Sequence, residues 1–220
     1  MNWSIKKVNG VDEVANLVAS SVLRNLQQGK RVLLFVTGCS SILVGVRVAE
    51  LLQGKDLENL TVTLTDERYG EFGHSDSNWQ QLIGKGFSLP GAKLVPVLAG
   101  ENEAMTVEKF NTILEEELAK DSYKIGIFGI GLDGHTAGIL PESPALNSTD
   151  FACYYASEKF KRITITEKVI ERLDEGVVVT KGEEKLKVLE SMASEIDKTI
   201  QPAQMLKKIP LLTIFNDVNK

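Results

Sequence analysis

The chain is predicted to be α/β, a single domain with a doubly wound, mostly parallel, Rossmann-like sheet and helices on both faces. Short runs rich in β-branched residues alternate with longer amphipathic patterns, which is typical of βαβ units. Several of the short runs, such as residues 31–37, are apolar almost throughout, as strands buried on both faces are. The length of 220 residues with 43% apolar composition suits one domain with one sizeable core.

The elements follow one another in a regular alternation. A first helix is predicted over residues 11–28, where apolar side chains recur near a period of 3.6 and Gly29 ends the pattern. Strands are then predicted at 31–37, 60–65, 93–97, 123–129, 151–156, 162–166, 176–180 and 211–215, and helices at 42–52, 77–84, 103–120, 167–173 and 183–193. No repeat or linker divides the chain, so one domain is expected over residues 1–220.

Composition excludes several classes of function. A net charge of −5 argues against a general nucleic-acid binder. No apolar run is long enough to span a membrane, and the first residues lack the apolar stretch of a secretory signal. Two cysteines are too few for a disulfide scaffold or a thiolate zinc site. We therefore expect a cytoplasmic protein that needs no metal and no cofactor.

Small residues follow the strand at 31–37. The loop Thr37-Gly38-Cys39-Ser40-Ser41 lets a ligand approach the backbone closely, and the next helix offers N–H groups to an anion. The loop is not a GxGxxG or Walker A sequence. Its residues fit either a phosphate site or an ordinary strand-to-helix turn capped by serine.

Three charged residues, Asp66-Glu67-Arg68, follow the strand at 60–65 directly. Charges at the end of a buried strand are costly unless they are paired or functional. An Asp66–Arg68 ion pair that fixes the loop is the simpler interpretation. Further on lies His74, which fits a solvated or capping role better than a catalytic one.

The most informative loop follows the strand at 123–129. It has four glycines within residues 129–138, and Asp133 lies two positions before His135. Glycines allow a sharp turn that brings backbone donors close to a substrate. Asp133 could orient His135 as a general base or acid requires, although a structural Asp–His pair fits the spacing equally well.

Taken together, these segments resemble the 6-phosphogluconolactonase branch of the family shared with glucosamine-6-phosphate isomerases and deaminases. The segments that carry the resemblance are residues 37–41, Asp66-Glu67-Arg68, Ser77-Asn78, residues 131–141, residues 162–166 and Gly182-Glu183-Glu184-Lys185. The Asp133-Gly134-His135-Thr136-Ala137 segment is the most specific of them.

The resemblance implies hydrolysis of 6-phospho-D-glucono-1,5-lactone to 6-phospho-D-gluconate, a step of the oxidative pentose phosphate pathway, without a metal or cofactor. His135 would activate water, with Asp133 in support. By the same resemblance the remaining site residues would be Asp66, Arg68 and Gly134 for the sugar, and Thr37, Gly38, Ser40, Ser41, Arg162 and Lys185 for the phosphate. The partner would be a small phosphorylated sugar lactone, not nucleic acid or a membrane.

The sequence departs from the lactonase pattern in two loops. Cys39 stands where glycine is more usual, and the segment from Tyr69 to His74 resembles the deaminase branch. Against a deaminase, Leu140 stands where those enzymes carry a glutamate, and leucine cannot transfer a proton. A deaminase-like enzyme and a non-catalytic sugar-phosphate-binding module remain the alternatives.

Overall fold

The computed structural model describes residues 3–38 and 41–218. Its strands are β1 (Trp3–Lys7), β2 (Arg31–Val36), β3 (Leu60–Leu64), β4 (Asp66–Arg68), β5 (Lys93–Leu94), β6 (Ser122–Phe128), β7 (Ala152–Ala156), β8 (Lys161–Ile165), β9 (Glu175–Val179) and β10 (Leu211–Asn216). Its α-helices are α1 (Val11–Gln27), α2 (Ile42–Leu51), α3 (Asn78–Gly84), α4 (Glu103–Ala119), α5 (Glu167–Ile170) and α6 (Glu183–Ser191). Short 3-10 helices cover Pro144–Asn147 and Pro202–Lys208.

Seven strands form one parallel sheet in the order β1-β10-β9-β6-β2-β3-β5. All five residues of β9 and five of the six in β2 are buried. Because successive side chains of a strand point to opposite faces, this burial means that both faces of the sheet are covered. The α/β doubly wound prediction is confirmed. Among the described residues, no helix is both long and apolar enough to cross a membrane.

The strand order reverses direction between β2 and β6. From β2 the chain proceeds through β3 to β5 on one side, and from β6 it proceeds through β9 to β10 on the other. In open α/β sheets, the crevice outside the carboxyl ends of the strands at such a switch point is the usual ligand site. Residues 37–41 follow β2 and residues 129–138 follow β6, so the topology brings the two most informative loops together.

A second, three-stranded antiparallel sheet, β4-β8-β7, was not anticipated. The runs at 151–156 and 162–166 form strands but do not join the main sheet, because a short connection from 157 to 160 joins them as a hairpin. The three residues of β4 pair with β8. The sequence prediction also missed β1, which pairs with β10 at the edge of the main sheet. The second sheet carries Asp66 and Arg162 to the switch point.

Candidate active site

A cavity of about 340 Å³ lies at the switch point. It is bordered by residues that follow β2, β3 and β6, by the β7–β8 hairpin and by α6. Its lining residues are Thr37, Gly38, Ser41, Asp66, Gly129, Ile130, Gly131, His135, Ala137, Gly138, Lys159, Phe160, Arg162 and Lys185. One cavity therefore brings together five residues predicted for phosphate binding, one predicted for the sugar and the predicted general base.

His135 and Asp133 form a hydrogen-bonded pair at this cavity. Nδ1 of His135 lies 2.6 Å from Oδ1 of Asp133, which also accepts from the backbone N–H of His135 at 3.2 Å. Partial burial raises the pKa of Asp133, but the charge of His135 and these hydrogen bonds outweigh it and leave that pKa below its ordinary value. An ionised Asp133 favours the imidazole tautomer with the proton on Nδ1. The Nε2 atom is then the basic nitrogen of a ring that lines the cavity.

The glycine at 131 makes room for this pair. A Cβ atom at Gly131 would lie 2.2 Å from Nδ1 of His135 and 2.5 Å from Oδ1 of Asp133, far inside van der Waals contact. The backbone N–H of Gly131 donates to the carbonyl of His135 at 2.9 Å, and that of Gly134 donates to the carbonyl of Gly131 at 3.0 Å. These two bonds close the turn and hold the imidazole above it.

Asp66 forms the inner wall of the cavity. Its side chain is 9% exposed, and its Oδ2 atom lies 3.5 Å from Nη1 of Arg162. Burial raises the pKa of Asp66, and the nearby charge of Arg162 only partly opposes this effect. Gly138, with φ of +72°, is needed beside it, because a Cβ there would lie 2.7 Å from Cβ of Asp66. Asp66 therefore forms its ion pair with Arg162. The sequence had suggested Arg68 as its partner instead.

The side chain of Asn78, to which the sequence assigned no role, packs beside the loop after β2. Asn78 is fully buried, and its amide nitrogen donates to the backbone carbonyl of Asp66 at 2.9 Å. A Cβ on Gly38 would lie 2.1 Å from Oδ1 of Asn78, so the Asn78 amide occupies the space that a larger residue 38 would need. Ser41 donates through its hydroxyl to the carbonyl of Val179 at 3.2 Å, which ties the loop to β9. Ser40, predicted to bind phosphate, and Cys39 lie outside the described residues.

Cationic side chains also line the cavity. Arg162, 13% exposed, and Lys185 were predicted from the sequence, whereas Lys159 was not. Nε of Arg162 is buried with no acceptor in the described part of the chain. Arg68 is not among the lining residues; its Nη1 atom donates to the carbonyl of Asp76 at 3.3 Å. The sequence could have indicated Lys159 as a lining residue, because residues 159–162 are a cluster of basic residues around one aromatic.

Three further residues discussed above, Glu67, Gly134 and His74, make contacts within the fold and do not line the cavity. Glu67 is buried and accepts from the backbone N–H groups of residues 68, 78 and 79 and from the hydroxyl of Ser77, so it fixes the start of α3. Gly134 is not a lining residue, and its carbonyl accepts from the N–H of Ala203 at 2.9 Å. His74 contacts the carbonyl of Arg68 through Nε2 at 2.9 Å, which closes its own loop. Within the described residues, no group of three or more His, Cys, Asp or Glu side chains is placed to hold a metal ion.

Comparison with known proteins gives one consistent result. The family model described as glucosamine-6-phosphate isomerases/6-phosphogluconolactonase matches residues 6–213. A 6-phosphogluconolactonase of Pseudomonas aeruginosa is 24% identical over 209 residues, which cover 90% of this chain and 85% of that protein. A 6-phosphogluconolactonase of Synechocystis is 28% identical over 165 residues, which cover 68% of this chain and 67% of that protein.

Solved structures share the fold. The 6-phosphogluconolactonase of Thermotoga maritima superposes with a TM-score of 0.81 at 21% identity and covers 97% of both chains. That of Shewanella baltica superposes with a TM-score of 0.77 at 22% identity, over 96% of this chain and 97% of the other. Since the family model spans nearly the whole sequence, the chain belongs to the glucosamine-6-phosphate isomerase/6-phosphogluconolactonase family.

Proposed function

We propose that the protein is a 6-phosphogluconolactonase that hydrolyses 6-phospho-D-glucono-1,5-lactone to 6-phospho-D-gluconate. The observation that carries the proposal is the Asp133–His135 pair at a cavity that three cationic side chains, Lys159, Arg162 and Lys185, also line. The names of the relatives described above support the same reaction. Such an enzyme would act in the cytoplasm on a small phosphorylated lactone, with no part for nucleic acid or a membrane.

In the proposed mechanism, Nε2 of His135 accepts a proton from a water molecule in the cavity. The resulting hydroxide attacks the lactone carbonyl and gives a tetrahedral oxyanion. When the ring C–O bond breaks, the imidazolium returns its proton to the departing ring oxygen, and the product is a carboxylic acid that ionises in solution. Asp133 stabilises the imidazolium through its contact with Nδ1, as an orienting carboxylate does for a histidine base.

The substrate phosphate carries nearly two negative charges at neutral pH, and it accounts for the cationic lining. We propose that Arg162, Lys185 and the residues of loop 37–41 hold it, while Asp66 lies on the sugar side. Arg68 and Gly134, which the sequence also assigned to the sugar, do not line the cavity. Arg162 contacts Asp66 and keeps one buried N–H without a protein acceptor in the described residues, so it is placed to link the two subsites. Anchoring the distant phosphate orients the carbonyl for attack.

The experiment that tests this proposal offers two substrates to the purified protein side by side. With the phosphorylated lactone, we expect acid release well above the spontaneous rate without added metal. With glucosamine 6-phosphate, we expect no ammonia, since Leu140 offers no carboxylate where the deaminases carry one. Ammonia release would move the assignment to the deaminase branch. Binding without turnover of either substrate would favour a sugar-phosphate-binding module.

A further inference from the structure

Three basic residues lie close together on the β7–β8 hairpin, and the structure gives them different partners. The ammonium group of Lys161 lies 3.0 Å from Oε1 of Glu103, and Nη1 of Arg162 lies 3.5 Å from Oδ2 of Asp66. Lys159, by contrast, makes no ion pair within the described residues. Of the two lysines, it is Lys159 that lines the cavity. The hairpin therefore brings to the cavity a cation with no carboxylate partner in that part of the chain.

The ammonium group of Lys159 rests against an aromatic ring. It lies 5.2 Å from the centre of the Phe160 ring, within the range of a cation–π interaction. Such a contact is weak at an exposed position, and Lys159 is exposed. A lysine ammonium on its flexible four-carbon chain can exchange this contact for a stronger, charge-assisted hydrogen bond to an anion. The ring thus keeps the ammonium beside the cavity without accepting a conventional hydrogen bond from it.

The backbone that carries Lys159 is held by Ser157. The backbone N–H of Ser157 donates to the carbonyl of Phe160 at 2.8 Å, and the hydroxyl of Ser157 donates to the same carbonyl at 2.7 Å. The N–H of Phe160 in turn lies 3.3 Å from the Ser157 hydroxyl. These contacts close the turn over residues 157–160, which contains Lys159. Its backbone is therefore fixed beside the cavity, while moving its side chain costs only the contact with one ring.

The charges that line the cavity suit a dianion. Lys159, Arg162 and Lys185 are cationic, and Asp66 is the single carboxylate among the described lining residues. With Asp66 ionised, three positive charges face one negative charge, and removing Lys159 would halve the excess. A phosphate monoester carries nearly two negative charges at neutral pH. The cavity therefore matches the charge of a phosphate best when Lys159 contributes to it.

We propose that Lys159 is a specificity-determining residue that leaves the Phe160 ring and contacts the phosphate of the bound substrate. The proposal rests on the proposed function, because it takes the anion to be the phosphate of the sugar lactone. The guanidinium carbon of Arg162 lies 5.5 Å from the centre of the same ring, so Lys159 shares that ring with a predicted phosphate ligand. Lys159 takes no part in the chemistry at the carbonyl. Its contribution is to favour a phosphorylated over an unphosphorylated lactone.

Substitutions that remove or keep the charge at residue 159 isolate this role. Lys159→Met removes the charge but keeps a flexible side chain of similar length, and Lys159→Arg keeps the charge. We measure binding of 6-phosphogluconate and of gluconate by calorimetry, together with kcat and KM for the phosphorylated lactone. Lys159→Met is expected to weaken 6-phosphogluconate binding and to raise KM about fivefold to thirtyfold. Gluconate binding and kcat are expected to stay unchanged, and Lys159→Arg is expected to retain most of the affinity for 6-phosphogluconate.

Lys161→Met is the matched control, because Lys161 lies on the same hairpin but pairs with Glu103 and does not line the cavity. It removes the same charge, so a general loss of positive potential would weaken both methionine variants alike. The proposal is overturned if Lys159→Met binds 6-phosphogluconate as tightly as the wild type, or if Lys161→Met loses as much. It is equally overturned if Lys159→Arg binds as weakly as Lys159→Met, or if gluconate binding weakens by the same factor.

The wild type separates failure of this proposal from failure of the proposed function. Wild-type protein that binds 6-phosphogluconate but hydrolyses no lactone would contradict the proposed function alone, since the binding comparison between the variants still tests Lys159. Wild-type protein that does not bind 6-phosphogluconate would contradict both.

Discussion

A methyl group at residue 131 should disable the site without unfolding the protein. The Cβ of Gly131→Ala would lie 2.2 Å from Nδ1 of His135, whereas uncrowded contacts between carbon and nitrogen are about 3.5 Å. The imidazole must therefore move by more than about 1 Å, and a displacement of that size can cost on the order of a hundredfold in rate. Both side chains that clash are accessible, 38% for His135 and 50% for Asp133, so they can swing aside into solvent.

The assay for Gly131→Ala is acid release from the phosphorylated lactone, with thermal unfolding measured on the same preparation. We expect kcat to fall by at least about a hundredfold while the thermal midpoint changes by only a few degrees. Gly84→Ala is the matched control, because a Cβ there would meet nothing within 4 Å and Gly84 does not line the cavity. The reasoning is refuted if Gly131→Ala retains wild-type turnover, or if Gly84→Ala loses as much.

Three further predictions concern the carboxylates and cations around the site. Glu67→Gln places an amide N–H₂ against N–H and hydroxyl donors and should lower the free energy of unfolding by about 2–3 kcal/mol, which urea denaturation measures. Burial raises the pKa of Asp66 in the folded protein above its value in the unfolded chain, which is about 3.9. Above pH of about 3.9 the folded protein therefore keeps a proton that the unfolded chain releases, and the wild type loses stability as the pH rises. Asp66→Asn should remove this loss, and its stability relative to the wild type should increase between pH 4 and pH 7; a constant difference would contradict the assigned shift. Arg162→Ala and Lys185→Ala should each raise KM for the phosphorylated lactone and leave an unphosphorylated lactone unaffected, and equal losses on both substrates would argue against phosphate anchoring.

The main sheet could be predicted closely because its signals are local. Apolar runs such as residues 31–37 and 123–129 became β2 and β6, with their ends shifted by one residue. The glycine-rich loop at 129–138 was also placed correctly after its strand, so the switch-point site follows from topology alone. The edge strand β1 was missed because Trp3–Lys7 is short and ends in two lysines. Its strand character comes from pairing with β10, which no local pattern reveals.

The second sheet could not be predicted, because β4 has only three residues and lies far in sequence from β8, the strand with which it pairs. Asp66-Glu67-Arg68 reads as a charged loop, and only pairing with residues 162–164 makes it a strand. That pairing gives each of the three charged residues a different environment. Asp66 meets Arg162, Glu67 accepts the donors at the start of α3, and Arg68 contacts Phe160. Sequence spacing suggested an ion pair between neighbours, whereas long-range register decided the partners.

The account depends most directly on His135 as the base that activates water. The decisive measurement is the rate of acid release from 6-phospho-D-glucono-1,5-lactone by the wild type and by His135→Ala, each shown to be folded by circular dichroism. The account predicts that the wild type exceeds the spontaneous rate and that His135→Ala turns over at least about a hundredfold more slowly. A folded His135→Ala protein with near-wild-type turnover would contradict it.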